Sequence, residues 1–317
     1  MTEKVPSENE LQNLVNKLHN KYRKNDEGKL TDYIPELATV NPNKFGIAIT
    51  TVEGDTVTAG DFEECFTIQS ISKPLVFGLA LDMHGINHVR ERVNVEPTGE
   101  PFHSIIRLDT KSKRPSNPLV NSGAIAMTDF IKCENPAEGR TCLHSLYERY
   151  VGHSIKMDEA VYESEKATGH RNRAIAYLML NFGMISENIE EALDLYFRQC
   201  SFNIDSKDLA SIGASLANDG KNPCTGVQAV DSEYVRSILT LMFTCGLYTY
   251  AGEWAFDVGV PAKSGVSGGI MAAVPGRMGI GVYSPLVDKH GNSVRGLEVF
   301  RELSDALNLH AFRKTAT

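Results

Sequence analysis

From about Leu75 to Thr225 the chain reads as helix, and strand-like patterns occur only on either side of that stretch. Apolar residues recur at helical spacing in A-I-A-Y-L-M-L, I-E-E-A-L-D-L-Y-F and D-L-A-S-I-G-A-S-L-A, the last stopped by Gly220 and Pro223. Ahead of it, Ser7 and Glu10 form a capping box for a first helix carrying Leu11, Leu14, Val15, Leu18 and Tyr22. Phe45, Ile47 and Ile49 then alternate into Glu53-Gly54-Asp55, and Val57 resumes the pattern, which predicts a hairpin. Behind it come M-G-I-G-V-Y-S-P, a turn at His290-Gly291-Asn292, and a closing helix with Leu297, Phe300, Leu303 and Leu307. The layout is α+β: the two chain ends build one sheet around a helical insertion. A single unit, residues 1–317, is expected, with an α/β part of approximately 1–75 and 226–317 and a helical part of approximately 76–225. No repeat, low-complexity tract or composition break marks a linker.

With 317 residues and 42% hydrophobic content, the chain can bury a large core. Its net charge of -8, with scattered Lys and Arg, argues against nucleic acid, whose binding draws on clustered cations. No run of eighteen apolar residues would span a membrane, and M-T-E-K-V-P-S-E-N-E is not a secretory leader, so a cytoplasmic protein is expected. Cys65, Cys133, Cys142, Cys200, Cys224 and Cys245 form no C-x-x-C pair and read as small core residues of a reducing compartment.

Chemistry concentrates in T-I-Q-S-I-S-K-P. A serine hydroxyl needs a base within hydrogen-bond reach, and Lys73 lies one helical turn beyond Ser70 if Ser70 opens the helix through L-V-F-G-L-A-L-D-M. Pro74 suits a first turn, and the free N–H groups of a helix start suit a developing oxyanion. Lysine must be neutral to accept a proton, which from its ordinary pKa costs about 4.6 kcal/mol at pH 7. Lys263, in A-K-S-G-V-S-G-G, is expected to help as a second cation disfavouring charge on Lys73. S-x-x-K followed by a K-T-G-like K-S-G is the pattern of serine β-lactamases and penicillin-binding proteins, although S-x-x-K alone arises about once by chance in such a chain.

Competing patterns are weaker. Gly265-Val266-Ser267-Gly268-Gly269 satisfies G-x-S-x-G, with Asp288 and His290 or His310 following in the order of an α/β-hydrolase. Pro261 and Pro275-Gly276 deny it the strand and helix of a nucleophile elbow, so it reads as a turn whose backbone approaches substrate. His84 and His88 have metal-ligand spacing, but Gly85 is expected to end the helix between them, and no third ligand is near. Neither a phosphate-cradling loop nor a dinucleotide fingerprint occurs, so a nucleotide cofactor is not indicated.

The strings D-Y-I-P-E-L-A, T-I-Q-S-I-S-K-P, V-E-P-T-G-E-P-F, N-P-L-V-N-S-G-A-I-A, R-N-R-A-I-A, T-C-G-L-Y and K-S-G-V-S-G-G-I, in this order across most of the chain, resemble the serine-dependent glutaminases. The resemblance implies a serine β-lactamase-like fold, with an antiparallel sheet flanked by helices and a helical subdomain. It implies hydrolysis of L-glutamine to L-glutamate and ammonia without metal or cofactor. Carried over by motif, Ser70 is the nucleophile, Lys73 its partner and Tyr248 the proton relay, with the Ser70 and Val266 N–H groups as oxyanion hole. Tyr33, Asn121, Glu165, Asn172 and Tyr196 match the substrate contacts, Glu165 facing the ammonium. A homodimer or homotetramer is implied, as is a bacterial short form, since no ankyrin repeats or long N-terminal extension accompany the motifs. A penicillin-recognising acyl-transferase and a non-catalytic glutamine-binding protein stand as the alternatives.

Overall fold

The computed structural model of the chain describes residues 7–32, 34–99, 113–132 and 136–313. Helix α1 (Glu8–Tyr22) carries the reciprocal Ser7–Glu10 cap that the sequence predicts and buries Leu11, Val15 and Leu18. The hairpin follows as β1 (Gly46–Thr51) and β2 (Thr56–Gly60), turned at Gly54 with φ 99°. A two-residue strand β3 (Phe66–Thr67) leads through a 3-10 turn (Gln69–Ser72) into α2 (Lys73–Arg92). Gly85 interrupts that helix where the sequence reading expected it to end. At φ 74° and ψ 156°, a conformation open to glycine, it kinks the chain, which then resumes as helix.

Helices α3 (Asn121–Ile131), α4 (Pro136–Val151), α5 (Glu159–Thr168), α6 (His170–Asn181) and α7 (Ile189–Cys200) fill the middle of the chain. After β4 (Asn203–Ile204) come α8 (Ser206–Ala217), α9 (Ser232–Cys245) and α10 (Ala251–Asp257). Strands β5 (Ala262–Ser264), β6 (Gly269–Val274) and β7 (Met278–Tyr283) precede the closing helix α11 (Val294–Leu307). The main sheet has the order β2-β1-β7-β6-β5 and is antiparallel throughout, with β1 paired to β7 from Gly46↔Tyr283 to Thr51↔Met278. The early hairpin and the late strands thus complete one sheet, as the layout predicts. A separate ladder joins Phe66 to Ile204 and Thr67 to Asn203.

Strand alternation gives the sheet two unlike faces. One presents Ile47, Ile49, Val57, Ile270, Ile280 and Val282 to Leu11, Val15, Trp254 and Phe300. The other presents Gly279 and Gly281 to α8, so closely that a Cβ on Gly279 would stand 2.0 Å from the Ala214 nitrogen and 2.1 Å from the Ala210 oxygen. Because those neighbours are helix backbone, they can yield only by moving α8 as a whole. Gly279→Ala is therefore expected to destabilise the protein by about 3 kcal/mol, read as a lowered urea midpoint at unchanged slope.

Chain order and packing part company at two helices. Helix α8, within residues 76–225, lies on the sheet, and α9, within 226–317, packs against α2. The cysteines also depart from expectation: Cys200 and Cys245 are buried, whereas Cys65 and Cys224 are exposed thiols. Cys133 lies outside the described residues.

Candidate active site

Ser70 sits in the 3-10 turn between β3 and α2, and Lys73 is the first residue of α2. The turn closes with Ile71 N–H donating to the Ile68 carbonyl at 3.2 Å, and the Ser70 N–H precedes that first bond. Gln69, immediately before, has φ 48°, a left-handed conformation that costs a non-glycine residue about 1–3 kcal/mol. Its side-chain amide donates to Thr67 Oγ1 at 3.2 Å and pulls on the Glu165 carboxyl. Such strain is sustained only where surrounding contacts over-determine it, and here the turn carries Ser70.

Both lysines are buried, Lys73 at 1% and Lys263 at 0% exposure, while Ser70 keeps 7%. Lys73 Nζ donates to Asn121 Oδ1 at 2.7 Å and to the Leu119 carbonyl at 3.4 Å, and Asn121 Nδ2 donates to Asn172 Oδ1 at 3.1 Å. Burial brings the Lys73 ammonium down to about 8, against the opposing pull of Cys200 and Glu165. Deprotonating it at pH 7 then costs about 1–2 kcal/mol rather than the nearly 5 kcal/mol of a free lysine.

Lys263 is coupled to Lys73: burial and the charge on Lys73 push it well below the ordinary lysine range. Lys263 Nζ donates to the Gly246 carbonyl at 2.8 Å and the Ser264 carbonyl at 2.6 Å, which a neutral amine with two N–H bonds satisfies. It lies 4.1 Å from the centroid of the Tyr248 ring, under the residue it helps to hold.

Tyr248 begins a second strained turn, Tyr248–Tyr250, with φ 55°. Its hydroxyl donates to the Ser264 carbonyl at 3.1 Å, with the Ser70 side chain beside it. Burial raises the Tyr248 phenol above its usual range.

The hairpin turn between β5 and β6 brings in Val266. Gly265 N–H donates to the Gly269 carbonyl at 2.9 Å, and Thr31 Oγ1 donates to the Val266 carbonyl at 2.6 Å. The turn lies against the serine turn: a Cβ on Gly265 would be 3.1 Å from the Ile68 oxygen and 3.2 Å from the Ile71 side chain. Among the described residues the Val266 N–H meets no backbone acceptor. Ser267, the competing nucleophile, has a buried hydroxyl without a hydrogen-bond partner. Its proposed bases are engaged elsewhere, His290 with Thr249 at 2.8 Å and His310 with the Phe256 carbonyl at 3.3 Å.

The helical side supplies the remaining groups. Glu165 on α5 is buried, its Oε1 has no partner, and burial raises its carboxyl to about 7 against the pull of Gln69 and Lys73. Asn172 on α6 and Tyr196 on α7 are buried too, and the buried Cys200 thiol interacts with Tyr196, Lys73 and Glu165. Tyr33 lies outside the described residues. Two cavities meet at Tyr248, one of about 360 Å³ walled by Asn117, Leu119 and Cys245, the other of about 680 Å³ walled by Thr31, Asp32, Val266 and His290.

Gln69, Leu119 and Cys200 are the parts of this site that sequence reasoning missed. A left-handed glutamine and a carbonyl acceptor leave no trace in residue type, and a cysteine reads equally as core. Nor do the described residues contain a group of three or more His, Cys, Asp or Glu able to hold a metal ion. His84 Nε2 instead meets the Phe130 carbonyl at 2.8 Å, and His88 pairs with Glu91 at 3.3 Å. None of the described helices is long and apolar enough to cross a membrane.

A buried serine, a lysine poised to lose its proton and an unsatisfied carboxylate can together bind a cationic amide and transfer its acyl group. Comparison with known proteins identifies the family. Residues 28–312 match the family model described as Glutaminase. A glutaminase of Trichormus variabilis is 56% identical over 302 residues, 95% of this chain and 90% of the relative. Glutaminase 2 of Clostridium perfringens is 48% identical over 289 residues, 90% of this chain and 95% of its own. Among solved structures, the probable glutaminase YbaS is 39% identical with TM-score 0.94, over 98% of this chain and 100% of that one. A probable glutaminase from Bacillus subtilis complexed with 6-diazo-5-oxo-L-norleucine is 35% identical with TM-score 0.88, over 98% and 100%. With these neighbours the chain shares the β-lactamase-like fold.

Proposed function

Because the chain belongs to the glutaminase family, we propose that its reaction proceeds through a glutamyl ester on Ser70. The reaction is hydrolysis of the side-chain amide of L-glutamine to L-glutamate and ammonia. Ser70 Oγ bonds to the amide carbon and the C–N bond breaks. The proton from Ser70 passes to neutral Lys73 and reaches the departing nitrogen through Tyr248. Water then attacks the ester, one of its protons returns to Ser70 Oγ, and glutamate leaves. The Ser70 and Val266 N–H groups carry the charge on the carbonyl oxygen in both steps.

The observation that carries this reading is Lys73, buried, brought down to about 8, bonded to Asn121 and one turn from Ser70, with Tyr248 beside that serine. Glu165 supports the substrate assignment, since its partnerless buried oxygen suits the glutamine ammonium. Asn121, Asn172, Tyr196 and Tyr33 complete the pocket in the same proposal. Acid quenching during turnover, followed by mass analysis, tests it: a Ser70 peptide heavier by one glutamyl group is expected. A modification elsewhere, or rapid capture of a β-lactam at Ser70 without ammonia release from glutamine, would refute it. Assembly as a homodimer or homotetramer in the cytoplasm belongs to the same reading, and a monomer mass by light scattering would sink the assembly part.

The two perturbed groups set a pH dependence. Glu165 must be ionised, which it becomes as pH rises through about 7, and Lys73 must be neutral, which it becomes as pH rises through about 8. Both requirements favour higher pH. The logarithm of kcat/KM should therefore climb with a slope of about two below pH 7 and about one between 7 and 8, then level off. A profile flat from pH 6 to 9 would remove both assignments.

A further inference from the structure

The larger cavity at Tyr248 is shared with the loop from Asp288 to Gly291, a segment with no part in the steps above. That loop holds itself. Asp288 Oδ1 accepts from the His290 N–H at 2.8 Å and the Asn292 N–H at 2.9 Å, and the Asp288 N–H donates to the Asn292 carbonyl at 2.9 Å. Its backbone runs beside the catalytic phenol: a Cβ on Gly291 would lie 3.9 Å from Tyr248 Cε2 and 3.6 Å from Val266 Cγ1.

The turn that carries Tyr248 cannot hold itself in the same way. It is three residues long, and its first residue is left-handed without being glycine. Beyond its single closing bond from the Tyr250 N–H to the Leu247 carbonyl and the Tyr248 bond to Ser264, two further pins reach the turn from other elements. Tyr250 is tied to Arg301 of α11 by its hydroxyl. Thr249 Oγ1 shares a 2.8 Å hydrogen bond with His290 Nδ1, and the His290 ring packs 5.7 Å from that of Tyr250.

We propose that His290 is a positioning residue for hydrolysis: through Thr249 it holds the Tyr248–Tyr250 turn in the conformation that keeps the Tyr248 hydroxyl against the Ser264 carbonyl, beside Ser70. The proposal rests on Tyr248 acting as the proton relay. His290 touches the turn from a partly exposed loop rather than from the core, so removing its ring should leave the fold intact.

Steady-state kinetics on the full chain tests it. His290→Ala is expected to lower kcat about 10-fold, because a small displacement of a proton-transfer group is enough for such a loss. KM should stay within about twofold, and the melting temperature should stay at the wild-type value. Thr249→Val should lose as much, and the double variant no more than either single one, since both cut the same link. His290→Asn, whose amide can occupy the position of Nδ1, should recover most of the rate.

Wild-type kcat in His290→Ala overturns the proposal, as does a raised KM at unchanged kcat, which would make His290 a substrate contact. Losses that multiply in the double variant, or a lost rate that His290→Asn does not restore, overturn it too. Tyr248→Phe separates the two readings. If it is impaired while His290→Ala is not, only the positioning role fails, whereas full activity in Tyr248→Phe removes the relay itself.

Discussion

Ser70→Ala is expected to abolish turnover of glutamine, with kcat falling by about 10⁵-fold or more, since removing a nucleophile alone typically costs as much as removing the whole catalytic group. The substitution deletes one oxygen from a residue that is only 7% exposed and leaves the Ser70 N–H in the turn. Glu165, Asn121 and Asn172 keep their burial, so glutamine should still bind, and calorimetry should report a dissociation constant near that of the wild type. The pair of measurements separates chemistry from recognition. Ammonia release that survives in Ser70→Ala would show that water attacks the amide directly, and the glutamyl ester would have to be abandoned.

Lys73→Arg is the second large effect, with a loss of about 1,000-fold in kcat, the usual worth of a positioned general base. Arginine keeps a positive charge and donors for Asn121 and Leu119 but cannot deprotonate at any working pH. If the lysine acted only by its charge, arginine would retain much of the rate, and if it acts as a base, arginine is nearly as harmful as methionine. The limb of the pH profile near 8 should disappear with it, because that limb belongs to the Lys73 ammonium. Near-wild-type activity in Lys73→Arg would transfer the base role to Tyr248.

The elements that depend on local pattern were legible in the sequence. The Ser7–Glu10 cap, the hairpin turning at Gly54 and the amphipathic α7 and α11 each follow from a few neighbouring residues, and each is present. Ser70 and Lys73 were legible for the same reason, being three residues apart at a strand-to-helix junction. What was hidden depends on long-range packing. Helix α8 shares the apolar periodicity of its helical neighbours, and its Ser, Ala and Gly content becomes a sheet-covering surface only against the glycines of a strand 60 or more residues later. How far each lysine of the pair is lowered was hidden too, since that depends on how deeply each lies and on the acceptors around it. The left-handed backbone at Gln69 and Tyr248 is likewise imposed by the fold, against the preference of those residue types.

The unlike faces of the sheet carry a further consequence for how such a chain can change over generations of mutation. Against α1 and α11 the core is made of side chains, and a larger residue at Ile280 can be answered by a smaller one at Leu303 or Phe300. Against α8 there is no side chain at Gly279 or Gly281 to trim, and the partner surface is peptide backbone that mutation does not alter. Compensating pairs are therefore open to drift on one face and closed on the other. A randomised library built over this scaffold should keep its diversity on the α1 and α11 side, while functional survivors on the α8 side return to glycine.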